Sequence, residues 1–283
     1  MLLVKTIADY DAWRSAPGRK NRDIGFAPTM GALHEGHLEL VRMARRAGDL
    51  AVVSIFVNPT QFNDPKDLEK YPRTPGRDIE LLLSAGCDLL FLPAVEEVYP
   101  PGRDLSLQLE FGPLDKVMEG AFRPGHFAGM ATVVNRLLDI MRPVRLYMGQ
   151  KDFQQLTIVR DMLRQLKSPV ELVMCPTVRE ADGLAMSSRN TRLSPEMRRI
   201  APVIHETLEA AQIAFRQQPA SLVCQNALTR LAEAGLKPEY FELADGYTLQ
   251  PVANWQDASF VVACTAAWAG DVRLIDNLIV KTP

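Results

Sequence analysis

The chain has 283 residues, 47% hydrophobic and 23% charged, with a formal net charge of −2. That is an ordinary globular make-up with room for one large or two modest domains, and without a strongly basic stretch it argues against non-specific nucleic-acid binding. No apolar run reaches the ~18 residues of a membrane span, Met1–Lys5 turns polar too soon for a signal peptide, and the four scattered cysteines (Cys87, Cys175, Cys224, Cys264) form no CxxC pair, so the expectation is a reducing cytoplasm with neither zinc site nor disulfide framework.

Up to about residue 175 the pattern alternates between strand and helix. Ile24–Ala27 is an apolar run that predicts a buried strand, and His37–Ala47 carries apolar residues at helical spacing. Leu50–Val57 reads as a fully buried strand and is followed by a long polar loop from Asn58 to about Pro75. Ile79–Ala85 predicts a helix capped by Gly86, then Asp88–Leu92 a strand stopped by Pro93. Phe127–Met141 and Asp152–Leu166 predict helices that bracket the strand Val144–Met148, and Val170–Cys175 predicts a strand closed by Pro176. Such alternation implies a Rossmann-like α/β domain, a doubly wound parallel sheet covered by helices, whose ligands bind beyond the C-terminal strand ends.

After Pro176 the texture changes. Pro195–Gln217 and Ala220–Ala234 predict long helices, followed by strands over Tyr240–Leu243, Ser259–Ala266 and Val272–Leu278. The expected organisation is residues 1–176 as the Rossmann-like domain and 177–283 as a smaller α+β C-terminal domain.

Four clusters carry chemistry. Met30-Gly31-Ala32-Leu33-His34-Glu35-Gly36-His37 runs from the first strand into a helix, where unpaired N–H groups and the positive dipole end favour phosphate. The His34/His37 pair lacks the third ligand and the spacing that a metal site needs, so no protein-held metal is expected. Gly149-Gln150-Lys151-Asp152 lies at another strand end: Gly149 permits close backbone approach, Lys151 offers a mobile charge, and Asp152 is placed as an N-cap or a partner for ribose hydroxyls. Met186-Ser187-Ser188-Arg189 combines hydroxyls with a guanidinium in a glycine-flanked loop suited to polyphosphate. Asn58-Pro59-Thr60-Gln61-Phe62 opens at the same sheet edge, and its amides, with Gln155 on the first turn of a helix, suit a small substrate with hydroxyl and carboxylate groups. Taken alone, these residues define a nucleotide-binding α/β enzyme.

Together and in this order the clusters resemble the pantothenate synthetase (pantoate–β-alanine ligase) family of the HxGH nucleotidylyltransferase superfamily, along with Tyr71-Pro72-Arg73, the extension Phe153-Gln154-Gln155 and the stretch from Arg179-Glu180 to Arg192-Leu193-Ser194. The resemblance covers nearly the whole chain. It implies ATP-dependent condensation of (R)-pantoate with β-alanine through a pantoyl adenylate, with release of pyrophosphate and AMP. It assigns His37 as the main catalytic histidine, with His34 and Lys151 beside it. ATP would be held by residues 30–37, Gly149, Gln150, Lys151, Asp152, Val178, Met186, Ser187, Ser188 and Arg189. Pantoate would be held by Gln61 and Gln155, and β-alanine by Gln61. The resemblance further implies Mg2+ bridging the ATP phosphates, a C-terminal domain that closes over the active site, and a cytoplasmic homodimer, with neither nucleic acid nor membrane as partner. Ala185-Met186-Ser187-Ser188-Arg189 lacks the leading lysine of a KMSKS-type loop, which weakens a tRNA-synthetase reading. A non-catalytic nucleotide-binding regulator would not need His37, Lys151 and the paired glutamines together.

Overall fold

The structure, a computed structural model, describes residues 1–61, 68, 69, 71–102, 104, 105 and 107–282. Phe62 of the quoted loop lies outside the described residues. The chain divides into two compact units, Met1–Phe111 with Arg123–Gly149 and Ile158–Cys175, and Gly112–Phe122 with Gln150–Thr157 and Pro176–Pro283. The last segment of the second unit starts at Pro176, and two earlier pieces join it. One tie between these two pieces is polar and invisible to periodicity. The buried Gln154 amide donates to the carbonyls of Leu114 (2.7 Å) and Val117 (2.9 Å) and accepts from Glu119 N (3.0 Å).

In the first unit, six parallel strands lie in the order β1 (Leu2–Val4), β4 (Leu89–Phe91), β3 (Leu50–Ile55), β2 (Ile24–Thr29), β5 (Arg145–Gly149) and β6 (Glu171–Cys175). The chain steps outward from β2 through β3 to β4 and later resumes on the other side with β5, so the strand order reverses between β2 and β5. In open α/β sheets this is the edge where ligands bind. The core of one face joins Leu38, Val41 and Ala44 of the Glu35–Arg46 helix to Ala27, Val53 and Leu90 of the sheet. The helix presents its apolar residues three apart, and each such buried side chain contributes roughly 1.5–3 kcal/mol. Gly25 is required by packing: a Cβ there would stand 2.7 Å from Tyr147 Cε2 and 2.8 Å from Asp49 Oδ2. β1 and the Ile7–Ser15 helix before β2 have no counterpart among the predicted elements.

The second unit contains the antiparallel sheet β7 (Lys237–Asp245), β8 (Val261–Ala269) and β9 (Val272–Lys281). Leu208, Phe215, Val223 and Leu231 from two helices pack with Phe241, Val261 and Ala263 of the strands. The single helix expected over Pro195–Gln217 is two, Pro195–Ile200 and Val203–Ala214. Pro202 between them brings no N–H and cannot continue the helical ladder. The α/β plus α+β fold class matches the sequence reading, with the three strands of the second unit longer, and β3 and β4 shorter, than the apolar runs indicated. Among the described residues, no helix is long and apolar enough to cross a membrane.

Candidate functional site

β2, β3, β5 and β6 are parallel neighbours, so the turns after Thr29, Ile55, Gly149 and Cys175 leave the same edge of the sheet. The turn after β2 is the most constrained. Gly31 (φ 83°) and Ala32 (φ 50°) both take left-handed conformations, which cost a residue with a Cβ about 1–2 kcal/mol. Asp78 holds them there. Its carboxylate, 1% exposed, accepts from Ala32 N (3.0 Å), Leu33 N (2.8 Å) and the Thr74 hydroxyl (3.1 Å). Asp78 lies in the first turn of the Pro75–Ser84 helix, 46 positions along the chain from Ala32, which hid it from a motif-based reading.

His34 and His37 begin the next helix as its N-cap and N3 residues. His34 Nδ1 accepts from Gly36 N (3.2 Å), and His37 Nδ1 accepts from His34 N (3.3 Å), a reciprocal capping box built from imidazoles. A ring nitrogen that accepts an N–H carries no proton, so in each neutral ring the proton sits on Nε2. The rings stand 4.1 Å apart between centroids. The cap thus fixes two Nε2–H donors at a helix N-terminus, where the dipole already favours anions.

The turn after β3 carries Gln61, 9% exposed. Its amide nitrogen donates to Met30 Sδ (2.8 Å), its Oε1 accepts from Asn58 Nδ2 (3.3 Å), and its carbonyl lies 2.9 Å from His126 Nδ1. Asn58 braces this turn. It is 1% exposed and bonds Gly129 O, Thr60 and Tyr99 as well as Gln61. Gly129 lets the His126–Met141 helix lie against this turn, since a Cβ there would stand 2.5 Å from Thr60 O. His126, to which no motif assigns a task, supports Gln61 in the fold.

In the second unit, Gln150, Lys151 and Asp152 form a 3-10 turn directly before the Phe153–Gln165 helix. Asp152 is exposed and sits immediately ahead of Phe153, while Lys151 and Gln155 are half-buried. A Cβ built on Gly149 would meet no protein atom within 4 Å, so packing does not demand glycine there. Val178 and Met186 are joined, Met186 N donating to Val178 O (3.0 Å) across a tight loop closed by Gly183 N on Glu180 O (2.9 Å). Ser187 caps the short Ser188–Arg192 3-10 helix by accepting Arg189 N (3.3 Å), and Ser187, Ser188 and Arg189 are half-buried on adjoining positions. Each turn therefore gathers N–H, hydroxyl or cationic donors. The structure joins Gln61 to Met30 in one unit and Met186 to Val178 in the other.

A doubly wound parallel sheet with an imidazole-capped helix beside its strand-order reversal defines a Rossmann-like enzyme of nucleotide chemistry. Residues 2–279 match the family model described as pantoate–β-alanine ligase. A pantothenate synthetase of Bacteroides fragilis (strain YCH46) is 48% identical over 284 residues, covering 99% of each chain. The pantothenate synthetase from Thermus thermophilus superposes with a TM-score of 0.92 at 45% identity, covering 99% of this chain and 100% of that one. The pantoate–β-alanine ligase from Francisella tularensis, complexed with Beta-gamma ATP and Beta-alanine, gives a TM-score of 0.82 at 35% identity, covering 100% of this chain and 99% of that one. The chain belongs to the pantoate–β-alanine ligase family.

Proposed function

We propose that the named turns divide the work of ATP-dependent condensation of pantoate with β-alanine as follows. The pantoate carboxylate attacks the α-phosphorus of ATP, the bond from that phosphorus to the bridging oxygen breaks, and pyrophosphate leaves. The β-alanine amine then attacks the acyl carbon, AMP leaves, and pantothenate forms. The first nucleophile is already an anion, so the step needs no strong base. It needs alignment and stabilisation of charge growing on the phosphates. His37 donates through Nε2–H to the phosphates in the transition state, and His34 supports it from the same face of the cap. Lys151, Ser187, Ser188 and Arg189 hold the β- and γ-phosphates and the departing pyrophosphate. Gly149 and Asp152 serve the ribose, Val178 the adenine, and the backbone of residues 30–37 lines the nucleotide.

Gln61 and Gln155 hold pantoate, and Gln61 also meets β-alanine. A thioether is a weak acceptor, so Gln61 gives up its bond to Met30 at little cost when a substrate hydroxyl or carboxylate offers a better one. Magnesium would come with the nucleotide. The donors of these turns are N–H groups, hydroxyls and cations, which match phosphate oxygens, so phosphates and water would hold the ion, and it would supply neutralisation of phosphate charge. The cytoplasmic homodimer belongs to the same proposal; the four thiols, all free, match a reducing compartment.

The observation that carries this reading is the imidazole capping box, which spends both Nδ1 atoms on the helix and commits both Nε2 atoms to donation. Exchange of labelled pyrophosphate into ATP tests it. The expected result is exchange that requires pantoate and does not require β-alanine. Exchange that is absent, or indifferent to pantoate, overturns it.

A further inference from the structure

Two adjacent residues on β9, Asp276 and Asn277, are 4% and 2% exposed. A buried carboxylate and a buried amide are costly unless every polar atom is engaged, and here they are engaged by two separate loops of the same unit. Asn277 Nδ2 donates to the carbonyls of Gln150 (2.9 Å) and Lys151 (2.8 Å), and its Oδ1 accepts from Gln150 Nε2 (3.1 Å). Asp276 receives the Arg179 guanidinium through two bonds, 2.6 and 3.1 Å, and also takes Asn277 N (2.8 Å). The same guanidinium reaches the carbonyls of Gly183 (3.1 Å) and Asn277 (3.3 Å). Arg179 and Ala185 form a bridge that leads directly into Met186 and Ser187.

We propose that Asp276 and Asn277 are positioning residues for adenylation: Asn277 sets the peptide planes from which the Lys151 side chain departs, while Asp276, through Arg179, sets the loop that delivers Ser187, Ser188 and Arg189. The proposal rests on the phosphate-binding roles given to Lys151 and the serine–arginine loop. Apolar packing is non-directional and would fix no carbonyl direction. Hydrogen bonds to two successive carbonyls fix the orientation of the turn itself, and reacting groups displaced by about 1 Å lose rates on the order of 100-fold.

The test compares Asn277→Ala, Lys151→Ala and the double variant in pantoate-dependent pyrophosphate exchange, with KM for pantoate and melting temperature measured alongside. Asn277→Ala is expected to slow adenylation about 10- to 100-fold, with KM for pantoate within about 3-fold. Adding it to Lys151→Ala is expected to slow that variant by no more than about 3-fold, because residues that act through one another do not add. Asp276→Asn, which keeps the volume but loses the charge facing Arg179, is expected to slow adenylation without raising KM for pantoate; if Asn277→Ala does not fold, Asn277→Ser, which keeps one donor, replaces it. A folded Asn277 variant with the normal rate overturns the inference while leaving the lysine's role intact, and so do effects that multiply in the double variant. A normal rate in Lys151→Ala overturns the lysine's role and the inference with it.

Discussion

The turn after β2 and the turn after β5 are both read as phosphate-binding, yet they are held by opposite means. The first is braced largely by its own side chains, two imidazoles that close the cap of the helix they begin, with Asp78 pinning the left-handed pair ahead of them. The second is braced through its carbonyls, by an amide 126 residues away in the chain. The difference follows from the donors presented. An imidazole can be fixed by one ring nitrogen while the other stays committed to donation. An ammonium on a flexible stem has no second polar atom to anchor, so only its backbone can be held.

That contrast is open to attack, and the strongest blow is removal of the donors. His37→Ala and Lys151→Ala should each lower the rate of pyrophosphate exchange about 100- to 1,000-fold, the usual cost of losing a donor to developing charge, with far-ultraviolet circular dichroism unchanged. His37→Gln sharpens the point. Glutamine at N3 still completes a capping box, so the melting temperature should hold while the rate falls nearly as far; a fall in stability matched by a normal rate would make His37 a cap and nothing more. Next comes Asp78→Asn, which turns an N–H donor toward the backbone N–H groups it must accept. It should cost about 1–3 kcal/mol in denaturant unfolding and reduce exchange on the order of 10-fold through displacement of the turn. Gly149→Ala should leave stability within about 1 kcal/mol, since its Cβ meets no protein atom, yet raise KM for ATP several-fold; an unchanged KM would remove Gly149 from the nucleotide site.

The smallest effect concerns groups that neither turn uses. Burial pushes the thiols of Cys87 and Cys175 up from 9.0 to about 12 and that of Cys224 to about 11, and pushes the Tyr10 hydroxyl up from 10.0 to about 12. Each is held neutral in the fold while its unfolded counterpart ionises earlier. Their contribution to stability is therefore complete below about pH 9 and is lost as pH rises toward 12. Melting temperature should fall across that range, and thiol labelling at pH 8 should be slow in the native protein, leaving pyrophosphate exchange unaffected.

Legibility in the sequence follows the same division. The histidine turn is legible because its braces lie within a few residues of one another and next to an apolar strand. The first sheet is legible because β2 and β3 are continuous apolar runs. Asp78, Asp276 and Asn277 are not, because nothing in their local pattern marks a carboxylate or an amide as the partner of a distant backbone group. The partners of Asn58 are hidden for a related reason: its bonds to the Tyr99 hydroxyl and the Gly129 carbonyl join positions far apart in the chain. The Gly112–Phe122 segment belongs with the second unit through Gln154 and through the Glu119 carboxylate, which binds Arg273 at 2.7 Å and the Tyr240 hydroxyl at 2.9 Å, again contacts between distant positions.

Gly129 works as a shim of zero thickness. The helix that carries it lies so close to Thr60 that a single methyl group would overlap a carbonyl oxygen. Any side chain at this position must shift either the helix or the neighbouring 3-10 turn Pro59–Gln61. Residue 129 thus limits how closely the helix and the turn ending in Gln61 can pack, and the smallest possible change there, one carbon atom, acts on that turn through Thr60.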